Sequence, residues 1–224
     1  MKYVFFFLSI SLCFLFKAQK PITSKLWTGI SANKKINKLI GSSYYISYRS
    51  KSIYNNDFSI FGQASMSYKL SKNSKLKLKY RYTWKNIEGI SYQHRYAIDF
   101  TTKYKLLKKT KLNYRGRLQN EIENIKENRT NPYSSIIRNK IIIDKKINDK
   151  LDVFAGYEHF SNIIELNIND SYRFYIGTTL DVGKKKQLDI AYIHDQSVSL
   201  YKNLSTNNII SLKYNFAMWK NIDF

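Results

Sequence analysis

Between Lys75 and Lys85 the side chains alternate without a break, Leu76, Leu78, Tyr80, Tyr82 and Trp84 against Lys75, Lys77, Lys79, Arg81, Thr83 and Lys85. A β-strand sends successive side chains to opposite faces, so this segment carries one apolar, aromatic-tipped face and one cationic face. The pattern recurs from Lys111 to Glu123, where Leu112, Tyr114, Leu118 and Ile122 oppose Asn113, Arg115, Arg117, Gln119, Glu121 and Glu123. A soluble antiparallel sheet also alternates, but it covers its apolar face with a second layer. Here the alternating segments outrun ordinary soluble strands, and no helical partner is in sight to cover them. A closed barrel in a bilayer satisfies both faces at once, with lipid outside and a polar lumen within.

The start of the chain has the form of a secretory signal. Lys2 is followed by an apolar run from Tyr3 to Phe16, and Ala18 offers a small residue before Gln19. The expected organisation is therefore a signal over residues 1–18 and one barrel domain over residues 19–224. That run is too short for a spanning helix, which needs about 20 residues, and no later apolar stretch is long enough either. Cys13 lies inside the run behind Leu12, where a lipoprotein would carry a small residue. A mature chain without cysteine has no disulfide framework and no thiolate metal site.

The formal charge is +22, from 38 Lys and Arg against 16 Asp and Glu. Lysine, asparagine and isoleucine are abundant even at positions with no evident task, as codon bias in an AT-rich genome would produce. A basic, aromatic chain could also bind nucleic acid, but a secretion signal fits that poorly, so no nucleic-acid partner is expected. The 19 tyrosines suit a barrel instead, because rings with a polar tip settle at membrane interfaces.

Period two and turn residues delimit eleven segments: Leu26–Ile36, Leu39–Ser50, Asp57–Leu70, Lys75–Ile87, Ile90–Leu106, Lys111–Ile125, Tyr133–Ile147, Leu151–Ile163, Ser171–Val182, Gln187–Ser199 and Asn207–Ala217. Their connections alternate between tight, lysine-rich turns and looser loops, with a short Glu88-Gly89 turn as the exception. Short turns belong to the periplasmic side of bacterial barrels, whose strand number is normally even. The expected fold is thus an all-β, antiparallel up-and-down transmembrane barrel of about twelve strands, ten being possible, with Gln19–Lys25 as the candidate opening strand. At the other end Ile210, Leu212, Tyr214, Phe216 and Met218 alternate toward a terminal Phe224, as in the signal that hands barrels to their assembly machinery.

Trp27, Arg49, Tyr80-Arg81-Tyr82, His94-Arg95-Tyr96, Arg115-Gly116-Arg117-Leu118-Gln119, Arg138-Asn139-Lys140, Tyr157-Glu158-His159-Phe160, and Arg173 before Gly177 follow one another in this order. In that order and spacing the chain resembles a family of secreted outer-membrane β-barrels catalogued as domain of unknown function 2490. The resemblance implies fold and location over essentially the whole mature chain and no chemistry.

Parity with the leucine and tyrosine face toward lipid sends Arg49, Lys79, Arg81, Arg95, Arg115, Arg117, Gln119, Glu121, Arg138, Lys140, Glu158 and Arg173 into the lumen. Lys77, Asp99, Asp144, Asp152, Asp189 and Asp195 share that parity. Such a lumen is either a salt-bridged interior that holds the barrel together or a cation-lined passage favouring anions. The leading expectation is a passive pore, and the alternative is a non-conducting structural or surface-interaction barrel. A lipid-modifying enzyme is the third reading, since His94, His159 and His194 share the lipid-facing parity, with Ser161 and Asp195 near two of them. No nucleophile elbow or metal-ligand spacing appears, so no catalytic residue, cofactor or metal is assigned. Gln119, Glu121, Glu123 and Glu127 lead to the Asn128–Pro132 loop, where carboxylates could hold a divalent ion. The expected location is the outer membrane of a Gram-negative bacterium. Its lipid and lipopolysaccharide are the expected surroundings, and the barrel-assembly machinery a transient partner.

Overall fold

The computed structural model describes residues 22–52, 57–87, 89–124, 133–163, 169–199 and 205–218. The signal segment, Gln19–Pro21, Glu127, the 128–132 loop and Phe224 lie outside them. The elements are β1 (Ile22–Lys35), β2 (Ile40–Ser50), β3 (Phe58–Lys69), β4 (Ser74–Asn86), β5 (Ile90–Leu107), β6 (Thr110–Asn124), β7 (Tyr133–Lys146), β8 (Leu151–Asn162), β9 (Asn169–Gly183), β10 (Lys186–Ser199) and β11 (Ser205–Ala217). They form one closed barrel in which each strand pairs with its neighbours in sequence and β1 pairs with β11.

The expectation of twelve strands, or ten, is therefore corrected: eleven strands close the described barrel. A meander with an odd number of strands ends pointing the way it began, so its closing ladder has to be parallel. The β1–β11 ladder is parallel over twelve register positions, from Ile22↔Thr206 to Asn33↔Ala217, whereas every other ladder is antiparallel. Ile22–Lys25, expected to belong to a separate opening strand, is the start of β1 itself. Parallel pairing is slightly weaker per residue, and polar side chains bind this seam further. Ser31 Oγ donates to Asn215 Oδ1 at 2.8 Å, Thr23 bonds Asn207, and Asn215 Nδ2 continues to Asp189 on β10 at 2.7 Å.

The tight turns follow from local chemistry. Asn37 Oδ1 accepts from the backbone amides of Leu39 and Ile40, Ser71 Oγ from those of Asn73 and Ser74, and Asn148 Oδ1 from that of Lys150. Short polar side chains that mimic a backbone turn are the reason such residues punctuate strands. The turns β1–β2, β3–β4, β5–β6, β7–β8 and β9–β10 all lie on one rim, where β11 also ends.

The outer wall is apolar. Ile46 is 65% exposed and Ile176 63%, and both sit midway along their strands. Rings gather toward the loop rim, with Tyr48 stacked on Phe58, Phe58 edge-on to Trp84, Tyr82 stacked on Tyr92 and Tyr157 stacked on Tyr172. Tyr68, Tyr104 and the Tyr214–Phe216 pair ring the wall nearer the tight turns. This is an aliphatic band between two aromatic girdles.

Glycine stands where a ring leaves no room for a Cβ, as at Gly29 under Tyr45 and Gly177 under Phe154. A Cβ on Gly177 would stand 2.4 Å from the Ile190 carbonyl oxygen and 2.6 Å from Phe154 Cζ. Gly177→Ala is expected to destabilise the barrel by about 1–3 kcal/mol, because overpacking against backbone cannot relax by side-chain motion. Gly62→Ala, which meets nothing within 4 Å, is the matched control and is expected to leave the urea midpoint of the folded protein nearly unchanged.

Candidate functional site

The alternation that puts isoleucine on the outer wall turns the opposite parity inward. Arg49 on β2, Lys79 and Arg81 on β4, Arg95 on β5, Arg115, Arg117, Gln119 and Glu121 on β6, Arg138 and Lys140 on β7, Glu158 on β8 and Arg173 on β9 all border one lumenal chamber of about 540 Å³.

Four carboxylates organise the cations around it. Asp99, 1% exposed, accepts Arg117 Nε at 2.6 Å and Nη2 at 3.0 Å, and meets Lys79 Nζ at 2.5 Å. Glu158, also 1% exposed, accepts Arg115 Nη2 at 2.5 Å and Arg138 Nε at 2.9 Å, and takes the Tyr175 hydroxyl as a further donor. Glu121 lies 2.6 Å from Arg95 Nε and accepts Gln93 Nε2 at 2.8 Å and Gln119 Nε2 at 2.7 Å. Asp195 accepts Arg173 Nε at 2.8 Å. Each cluster crosses two or more strands, so the interior braces the wall. A buried ion is tolerable only when paired and hydrogen-bonded in this way.

Four of the arginines, paired or not, rest on rings. The Arg81 guanidinium carbon lies 3.8 Å from the centre of Phe61, and that of Arg49 lies 4.7 Å from Phe61 and 4.0 Å from Trp27. Arg173 follows at 5.3 Å from Trp27 and 4.5 Å from Phe160, and Arg138 at 4.2 Å from Phe160. Guanidinium and ring thus alternate along the lumen wall from β4 through β1 to β7. Stacking holds the planar head in place while leaving its in-plane N–H donors free. Arg49 Nε is buried without a hydrogen-bond partner, and the Arg81 donors Nε and Nη2 both go to the neutral Gln63 Oε1, at 3.2 and 2.9 Å.

Toward the tight-turn rim the chamber shares Asn33, Ser43 and Lys77 with a mouth of about 670 Å³. Lys77 Nζ donates to Ser43 Oγ at 2.7 Å at that junction. Lysines 34, 35, 38, 69, 72, 75, 77, 103 and 185 line the mouth, and among the described residues no Asp or Glu does. A side cavity of about 360 Å³ adjoins the chamber at Lys140, Tyr175 and Lys213 and carries Asp144 and Asp189. There Asp189 accepts Thr179 Oγ1 at 2.8 Å, and Asp144 bonds Asn113.

The three histidines stand on the outer wall. His94 Nδ1 is 2.9 Å from the Tyr80 hydroxyl, His159 stacks on Tyr172 at 5.1 Å, and His194 Nδ1 is 3.1 Å from Asn208 Oδ1. Asp195 turns inward to Arg173, across the wall from its neighbour His194, so it cannot orient that imidazole. Glu121 and Glu123 are likewise held within the barrel, Glu123 by Lys85 at 2.8 Å and Ser91 at 3.1 Å. Among the described residues no group of three or more His, Cys, Asp or Glu could hold a metal ion.

Sequence reasoning missed the inward rings Trp27, Tyr45, Phe160 and Tyr175 with Gln63 and Lys213 on the chamber wall, and Phe61 beneath Arg49 and Arg81. The signal was present, since Tyr45 shares the parity of Arg49, Phe160 that of Glu158 and Tyr175 that of Arg173.

No curated protein matches the chain. Among solved structures, LpxR from Salmonella typhimurium is 9% identical with a TM-score of 0.49, the match covering 79% of this chain and 83% of that one, a likeness that carries no functional argument. The family model matches residues 24–202, nearly all of β1 and the whole of β2 to β10, and the chain therefore belongs to the family described as Protein of unknown function (DUF2490).

Proposed function

We propose that the barrel stands in the outer membrane with its tight-turn rim toward the periplasm, and that its lumen is a narrow passive conduit favouring small anions. The observation that carries this reading is the lysine mouth, lined by no Asp or Glu among the described residues, merging at Lys77 into a chamber lined by eleven cationic side chains. The carboxylates paired with those cations are Asp99, Glu121, Glu158 and Asp195, with Asp189 across the ladder from Lys213, which leaves six positive charges in excess. A low-dielectric wall focuses such an excess into the lumen and raises the local concentration of anions. The aromatic girdles and exposed aliphatic band support the membrane placement.

In a planar bilayer with asymmetric potassium chloride, the reversal potential is expected on the chloride side. Arg49→Gln and Lys77→Gln are expected to reduce the preference for chloride by about two- to thirtyfold each. That is the effect of one charge about 8 Å from the ion at an effective dielectric between about 80 and 20. Arg117→Gln is a poor probe by comparison, since it strips a buried carboxylate of its bidentate partner. A closed trace at all voltages would overturn the conduit and leave a structural barrel.

A further inference from the structure

Of the seven chamber arginines, Arg49 and Arg81 stand apart because their guanidinium groups meet no carboxylate among the described residues. Both guanidinium carbons lie within 4.7 Å of the centre of the same ring, Phe61, and Arg49 is also stacked on Trp27. Two positive heads drawn to one ring repel each other, and burial deprives them of the water that would screen that repulsion. The buried Arg49 Nε has no acceptor among the described residues. An unmade hydrogen bond from a buried charged donor is costly, and in a native interior it asks for an explanation. An oxyanion in the chamber that both guanidinium groups border supplies one: the rings hold the heads in place, and guanidinium N–H donors match phosphate oxygens bidentately.

We propose that Arg49 and Arg81, set by Trp27 and Phe61, form a saturable site for a soluble phosphate-class oxyanion, inorganic phosphate or a small phosphomonoester. The inference deepens the anion-conduit reading and rests on it for access from the mouth. The net positive excess favours a dianion over a carboxylate or chloride, because two charges neutralise more of it. A chamber of about 540 Å³ is of ordinary ligand size. Lys77, whose partner among the described residues is Ser43, is the cation that stands where an anion passes from the mouth into the chamber. Enclosure by the barrel wall favours a free phosphate over a lipid headgroup, whose acyl chains have no room beside a chamber walled by ionic side chains.

The test uses the refolded full barrel in maltoside micelles, titrated with inorganic phosphate and with glycerol phosphate by calorimetry, with phosphorus NMR line broadening as the second readout. Saturable binding that survives a large excess of chloride is expected. Arg49→Gln and Arg81→Gln are each expected to weaken it by about tenfold or more, the scale of a lost charged hydrogen bond. Arg49→Lys keeps the charge without the fork and is expected to lose the discrimination against chloride. Should either Gln variant fail to refold, the other and the wild-type titration still decide. Binding that chloride displaces one for one, or that survives Arg49→Gln and Arg81→Gln, would overturn the site. Short-chain phosphatidic acid binding far better than glycerol phosphate would overturn its assignment to soluble phosphate. Phosphate binding without ion conductance would refute the conduit and keep the site, whereas chloride conductance without saturable phosphate binding would do the reverse.

Discussion

Glu158→Ala is expected to destabilise the barrel by about 3–5 kcal/mol, the cost of removing one partner from a buried ionic cluster. The carboxylate is 1% exposed and serves donors from three other strands, Arg115 on β6, Arg138 on β7 and Tyr175 on β9. Its loss leaves two guanidinium groups and a phenol facing one another with no acceptor between them, and Lys140 directly across the ladder adds a further positive charge. Glu158→Gln keeps one acceptor oxygen and gives up the charge, and is expected to fall between the wild type and the alanine variant. Urea unfolding in lipid vesicles, followed by tryptophan fluorescence, reads the difference. A loss below about 1 kcal/mol, the range of solvent-exposed pairs, would show that the lumen is freely hydrated at this level and that the cluster does not brace the wall.

Ile46→Arg and Ile176→Arg are expected to cost about 2–4 kcal/mol each, the penalty for a cation on the lipid face at the bilayer midplane. Both side chains are well exposed on the outer wall and midway along their strands. The contrast with water is the informative part. On a soluble protein, an exposed isoleucine replaced by arginine shifts stability by a few tenths of a kcal/mol. A variant of either residue that unfolds at the wild-type urea concentration would therefore place this wall outside the hydrocarbon.

Strand positions were legible because alternation is a local property. From Leu39 onward the segment limits agree with the structure within two residues, and only β1 begins four residues earlier than expected, at Ile22 rather than Leu26. There Thr23, Ser24 and Lys25 blur the alternation. Closure was not legible. Eleven segments in a meander require a parallel closing ladder only if eleven is the full count, and alternation alone does not establish that count, so the pairing of β1 with β11 stayed hidden. The even-number rule pulled the expectation to twelve. Within the lumen, parity assigns a side chain to a face, but which cation meets a carboxylate depends on register across strands. Arg117 and Arg81 share one face and one residue type, yet one grips Asp99 and the other only Gln63. The inward rings were hidden for a different reason: an aromatic in a barrel is assigned to lipid by default, and Trp27, Phe61 and Phe160 support guanidinium groups instead.

The parallel seam fixes the sidedness of the polypeptide. β1 sets out from the loop rim at Ile22, and β11 finishes at the tight-turn rim at Ala217. On the proposed membrane placement, reporters fused ahead of β1 and behind β11 would answer to different compartments. A barrel of this parity also cannot be sealed by adding one more hairpin, because the strand that locks it has to be met by a partner made more than 180 residues earlier and travelling the same way.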